Sequence, residues 1–302
     1  MRLALLVAAV LAPILLTGQA SAQKLRPADV DKLPSRLPTL TASYGSDANQ
    51  VGDLRLPDGL RFGKGPYPVV IVVHGGCWWK GYATRQNTAA LASRLTELGF
   101  ATWNIDYRQV GDVGGGWPGT FQDWSAATDH LRVLARSQPL DLGRVGVTGH
   151  SAGAHAAMWI AARRRLPAGS EVSSSDPLPI HAVVAIDGPP DPTSDLAAFE
   201  KGCGVPAVTS LFGGTPAEQP ARYALGTPQA LLPTGVRTGL VSASIFLSPA
   251  SGQGYVAAAT RAGDSAALLT LQGTGHFEVI APGSPVWPQV EAFLAETLKV
   301  PR

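Results

Sequence analysis

Ser151 stands in Gly149-His150-Ser151-Ala152-Gly153, with a glycine two residues to either side. A short apolar run, Val145 and Val147, enters this stretch, and an Ala-rich segment leaves it. A strand that turns sharply into a helix strains the residue at the turn, so the neighbours at two removes must lack side chains. The same turn lifts the serine Oγ above the sheet edge, over a helix N-terminus that favours developing negative charge. A hydroxyl becomes a useful nucleophile only when a base takes its proton. Imidazole suits that task near neutral pH. His276, in Gly273-Thr274-Gly275-His276-Phe277 after the last predicted strand, is the best placed of the six histidines. His74 lies in a turn, His150 inside the serine pentapeptide, His130 mid-helix and His181 at a strand start. His155, on the helix after Ser151, is the remaining rival. The chemistry these residues imply is nucleophilic acyl transfer.

Acyl transfer also needs donors for the oxyanion. His74-Gly75-Gly76 follows a buried strand, and its glycines allow backbone N–H groups to approach a substrate oxygen. Gly75 and Gly76, with the N–H of Ala152 next to the serine, are the expected oxyanion hole. Trp78, Trp79 and Tyr82 come directly afterwards. Such residues are common in cores, but the position makes at least one a pocket wall, with Trp78 and Trp79 as the candidates.

The elements that must position these groups alternate between strand and helix. Residues 1–22 read as a secretory signal: Arg2, an apolar run from Leu3 to Leu16, and a small-residue cleavage site at Ala20-Ser21-Ala22. Such a segment is too short for a stable membrane span, so the expected location is secreted or periplasmic. Residues 23–42 read as an extended leader, and 43–300 as one domain. Ser43–Leu56 suggests a hairpin; Tyr67–Val73 is a β-branched run typical of a strand buried on both faces. Further strands are expected at Phe100–Ile105, Leu142–Thr148, His181–Ile186, Gly239–Ser244 and Ala266–Leu271. Helices are expected at Gln86–Leu98, Thr120–Ala135, Ser151–Arg163, Val256–Ala262 and Trp287–Leu298. That alternation predicts an α/β fold, a mostly parallel central sheet covered by helices on both faces. Residues 188–236, rich in Pro and Gly, read as an irregular cap over the sheet edge. The whole chain carries a formal charge of +2, so nothing points to nucleic acid as a partner.

The chain resembles α/β-hydrolases of the esterase type with a His-Gly-Gly oxyanion loop, close to hormone-sensitive-lipase-like and BD-FAE-like members. The resemblance rests on His74-Gly75-Gly76-Cys77-Trp78, Asp106-Tyr107-Arg108, Gly116-Trp117-Pro118, Gly149 to Gly153, Asp187-Gly188-Pro189-Pro190-Asp191 and Gly275-His276-Phe277-Glu278. It implies an exported serine hydrolase of carboxylic esters, small or carbohydrate-borne, needing no metal or organic cofactor. Such enzymes usually carry a triad aspartate just after the seventh strand. Here Leu240 to Pro249 has no carboxylate. Asp264 follows a helix of about ten residues, roughly 15 Å of return travel, which puts it at the wrong edge. Asp187, Asp191 and Glu278 remain. Asp187, ending a strand at the correct edge, is the first choice, and Glu278 is expected to brace the loop. The acid-free turn also keeps open a catalytically dead hydrolase serving as a binding protein.

Two other patterns carry nothing. Gly114 to Gly119 matches a dinucleotide glycine pattern but contains Pro118 and lies away from its strand. His74-x-x-Cys77 has no second ligand pair for a metal. Cys77 and Cys203 are the two cysteines. In an oxidising compartment they form either one disulfide or two buried thiols; both flanking loops are expected over the carboxyl edge of the sheet, which permits a bridge.

Overall fold

The computed structural model describes residues 24–194, 196–271 and 273–299. The expected secretory signal, residues 1–22, lies outside the described residues. Eight strands form one sheet: β1 (Leu40–Ser43), β2 (Val51–Arg55), β3 (Tyr67–Val73), β4 (Ala101–Ile105), β5 (Leu140–His150), β6 (Ala182–Ile186), β7 (Arg237–Ser242) and β8 (Ala266–Thr270). Their order across the sheet is β1-β2-β4-β3-β5-β6-β7-β8. β1 and β2 pair antiparallel and β2 runs antiparallel to β4; every later pairing is parallel. The β-branched run predicted at Tyr67–Val73 is β3 to the residue, and from Val69 to Val73 it is buried throughout. Apolar side chains on both faces are what a strand needs when helices cover it on each side.

Three expectations change. The leader is not wholly extended: Pro27–Val30 forms one helical turn, and its last residues already belong to β1. The helix expected at Val256 begins earlier, at Pro249, because Ser248 caps it by accepting from the Ser251 N–H and Pro249 fits the first turn. Residues 188–236 are not irregular. They hold short helices at Leu196–Cys203, Ala207–Phe212 and Pro220–Gly226 and a 3-10 turn at Pro228–Leu231. Frequent Pro and Gly look like loop, yet here Pro220 opens a helix and Gly213, at φ +74°, closes one.

Parallel strands bring their C-terminal ends to a single edge of the sheet, where ligands of such folds bind. β3 delivers His74-Gly75-Gly76 there, β5 delivers Ser151, β6 delivers Asp187, and the loop beyond β8 delivers His276.

Candidate active site

Ser151 has φ 56° and ψ −122° and is the N-cap of the helix Ala152–Ala162. The flanking glycines are obligatory. A Cβ on Gly149 would lie 2.0 Å from the Gly153 carbonyl oxygen, and one on Gly153 would lie 2.2 Å from that of Val73. Gly75 presses against the serine from the other side; a Cβ there would sit 3.0 Å from the Ser151 Cβ. The N–H groups of Gly75, Gly76 and Ala152 have no acceptor among the described residues, which leaves them free to receive a substrate oxygen. His74 lies beneath this loop, stacked on Tyr107 with ring centroids 4.5 Å apart. The Tyr107 hydroxyl donates to the His74 carbonyl at 3.1 Å, which ties the loop down.

His276 and Ser151 border the same cavity of about 430 Å³. His276 Nδ1 lies 2.6 Å from Asp187 Oδ2. Asp187 Oδ1 accepts from the backbone N–H groups of Ala243 and Ser244, at 3.0 and 2.9 Å. The acid-free turn after β7 therefore supplies the donors that hold a carboxylate sent from β6. A carboxylate therefore stands beside His276 although that turn contains none. With Oδ1 occupied by two donors, Oδ2 must accept from His276 Nδ1–H, so Nε2 is left as the basic ring nitrogen. Burial pushes the Asp187 carboxyl up, but the hydrogen bond and charge of His276, with the Ser244 and Ala243 donors, outweigh it and hold the group below the usual carboxylate range.

The rival acids are engaged elsewhere. Asp191 accepts from the Thr193 N–H and hydroxyl, and Asp264 from the N–H groups of Thr234 and Gly235. Glu278 takes the Leu25 N–H at 2.8 Å, a brace between loop and leader. His155 is buried and bonds through Nε2 to the Gly226 carbonyl at 2.8 Å, so it anchors the cap instead of serving Ser151.

The pocket-wall expectation needs correction. Trp78 is wholly buried; its Nε1–H donates to the Ala152 carbonyl and its ring stacks on Phe199. Trp79 turns its backbone N–H back to Gly76 and is not among the cavity residues. Positive φ at Gly76, Cys77 and Trp78 reverses the chain and carries both indoles away from the cavity. Of the three aromatic residues after the glycines, Tyr82 is the one that lines it, together with Phe246 and Phe277. Phe277 and Phe246 had a sequence signal in their nearness to His276 and to the turn after β7. Pro27 and Asn87, which also border the cavity, had none. A larger cleft of about 580 Å³ opens beside Tyr67, Pro68 and Asp141, at the amino ends of β3 and β5. It holds none of the groups that acyl transfer requires.

Cys77 and Cys203 are joined in a disulfide, with Cα atoms 6.0 Å apart. It closes a loop spanning 126 residues and ties the oxyanion loop to the cap. Replacing both cysteines with alanine should lower unfolding free energy by about 2–5 kcal/mol, read from urea denaturation. An unchanged midpoint would show that the bridge constrains nothing.

Two buried histidines should contribute to the loss of stability in acid. Burial, with the charge of nearby His276, pushes His150 down to about 3, and burial pushes His155 down to about 4. Free histidine titrates near about 6.5, so below that pH the unfolded chain binds protons that the folded chain excludes. Both contributions are complete above that value and decline as pH falls toward 4, by about 3 kcal/mol each. The urea midpoint should therefore drop between pH 7 and pH 4.5, and the drop should be smaller in His155→Leu. Equal slopes in the two proteins would contradict this account.

The BD-FAE family model matches residues 53–234, more than half of the chain. No functionally curated protein sequence is similar enough to match. Among solved structures, a truncated carbohydrate esterase from gut microbiota superposes with a TM-score of 0.71 at 20% identity, covering 88% of this chain and 99% of that one. Esterase B from Lactobacillus rhamnosis gives 0.69 at 19% identity, over 88% and 87% of the two chains. A bacterial heroin esterase gives 0.67 at 19% identity, over 86% and 84%. At these identities the likeness is one of fold.

Proposed function

The chain belongs to the BD-FAE family and has the α/β-hydrolase fold, and from that premise we propose that it is an exported serine hydrolase of carboxylic esters. The observation that carries the reading is the hydrogen bond of 2.6 Å from His276 Nδ1 to Asp187 Oδ2, on a cavity that Ser151 shares. His276 Nε2 takes the proton from Ser151 Oγ as the oxygen attacks the ester carbonyl. Negative charge collects on the carbonyl oxygen, and the N–H groups of Gly75, Gly76 and Ala152 receive it. His276 then returns the proton to the departing alcohol. Water, deprotonated by the same nitrogen, attacks the acyl carbon; the acid leaves, and Ser151 Oγ takes the proton back from His276.

A cavity of about 430 Å³ walled by Tyr82, Phe246 and Phe277 suits a small acyl or aryl ester. The carbohydrate esterase and heroin esterase among the similar structures agree with small esters borne on a sugar or an aromatic skeleton. Export is supported by the Cys77–Cys203 disulfide. Among the described residues no helix is long and apolar enough to cross a membrane. The test is a fluorophosphonate probe followed by peptide mapping, alongside a panel of p-nitrophenyl and acetylated-sugar esters. Labelling confined to Ser151 and turnover of at least one ester are expected; folded protein that stays unlabelled and inert on the panel would end the reading.

A further inference from the structure

The first part of the described chain contributes one residue to the wall of the Ser151 cavity. Pro27 borders it, next to Asn87. The leader is fastened at several points and does not merely pass by. Leu25 N–H donates to Glu278 Oε1 at 2.8 Å, on the far side of the His276 loop. Gln86 Nε2–H donates to the Asp31 carbonyl at 3.0 Å, and Asn87 Nδ2–H to Asp31 Oδ1 at 2.9 Å. Val30 is 1% exposed, in the apolar cluster of Val70, Leu91 and Leu95. Farther on, Arg36 N–H donates to Ser93 Oγ at 2.8 Å. Proline has a fixed φ and no N–H to satisfy, so at a cavity wall it is a rigid apolar boundary without a desolvation cost of its own.

We infer that the leader is a specificity-determining wall: Pro27, held in place by Asn87 and Asp31, sets how long a substrate arm can extend from Ser151 toward it. The inference rests on the ester-hydrolase reading. An arm that reaches the wall must either end there or push the strap away from Asn87 and Glu278, which breaks the hydrogen bonds that hold it. Shortening the wall by a few carbons therefore admits a longer arm, and thickening it excludes one.

The experiment compares kcat/KM for esters of two and eight carbons in two series, p-nitrophenyl esters that vary the acyl arm and alkyl acetates that vary the alcohol arm. Pro27→Gly and Asn87→Ala should raise the long-to-short ratio by at least about tenfold in one series, and Pro27→Trp should lower it by a similar factor, in line with the worth of one methylene in an apolar pocket. The series that responds identifies the arm facing the leader. Ratios that stay within about twofold of wild type in all three variants and both series would overturn the inference, including the case where every ester slows equally. A wild type that hydrolyses no ester overturns the underlying reading instead.

Discussion

Ser151→Ala is expected to lower kcat on any ester that the wild type turns over by at least about 10⁴-fold, with little change in KM. The serine is buried, and its backbone conformation is set by the glycines around it, so alanine loses the hydroxyl and little else. Alanine at φ 56° bears the same backbone strain as serine. The thermal midpoint should accordingly stay within a few degrees of wild type. What remains in the variant reports the oxyanion donors and binding alone. Retention of more than about a hundredth of wild-type kcat would mean that the nucleophile is another group.

Asp187→Asn carries the second large effect, through the tautomer of His276. The N–H groups of Ala243 and Ser244 both require an acceptor from residue 187. An asparagine therefore turns its carbonyl oxygen toward them and its NH₂ toward His276 Nδ1. That nitrogen must then accept, which moves the ring proton to Nε2, and Nε2 can no longer take the serine proton. In serine proteases the analogous acid-to-amide change costs on the order of 10⁴-fold in kcat with the geometry intact. A loss of about 10³–10⁴-fold with KM nearly unchanged is expected here. The turn after β7 offers a check on the tautomer mechanism. Ser244 Oγ is 3.4 Å from His276 Nδ1, so a carboxylate at that position can reach the ring. Asp187→Asn/Ser244→Asp should recover part of the lost activity. Near wild-type kcat in Asp187→Asn would take Asp187 out of the mechanism.

The sequence by itself determined the parts that depend on local rules. Gly149 and Gly153 announced the turn at Ser151, since no residue with a Cβ fits where they stand. The β-branched Tyr67–Val73 run announced a strand buried on both faces, and strand–helix alternation announced a parallel sheet. Glycines after β3 and a histidine after the last strand were legible for the same reason: parallel strands send such loops to one edge.

Only the tertiary structure decided the remainder, because it depends on which distant segments meet. Strand-end position made Asp187 the first choice among three acids, but that it reaches His276 depends on β6 and β7 being neighbours and on the β7 turn presenting two N–H groups to it. The cap helices were hidden by Pro and Gly that act as helix starts and stops in context, where a one-dimensional reading counts them as breakers. Trp78 and Trp79 follow the oxyanion glycines in sequence, yet positive φ at three successive residues turns them away and gives the cavity to Tyr82, Phe246 and Phe277. Pro27 is farthest from any local signal. Its place on the wall of the cavity that Ser151 borders follows from hydrogen bonds to residues 86, 87 and 278 along the leader, contacts across long stretches of chain that no periodicity or motif encodes.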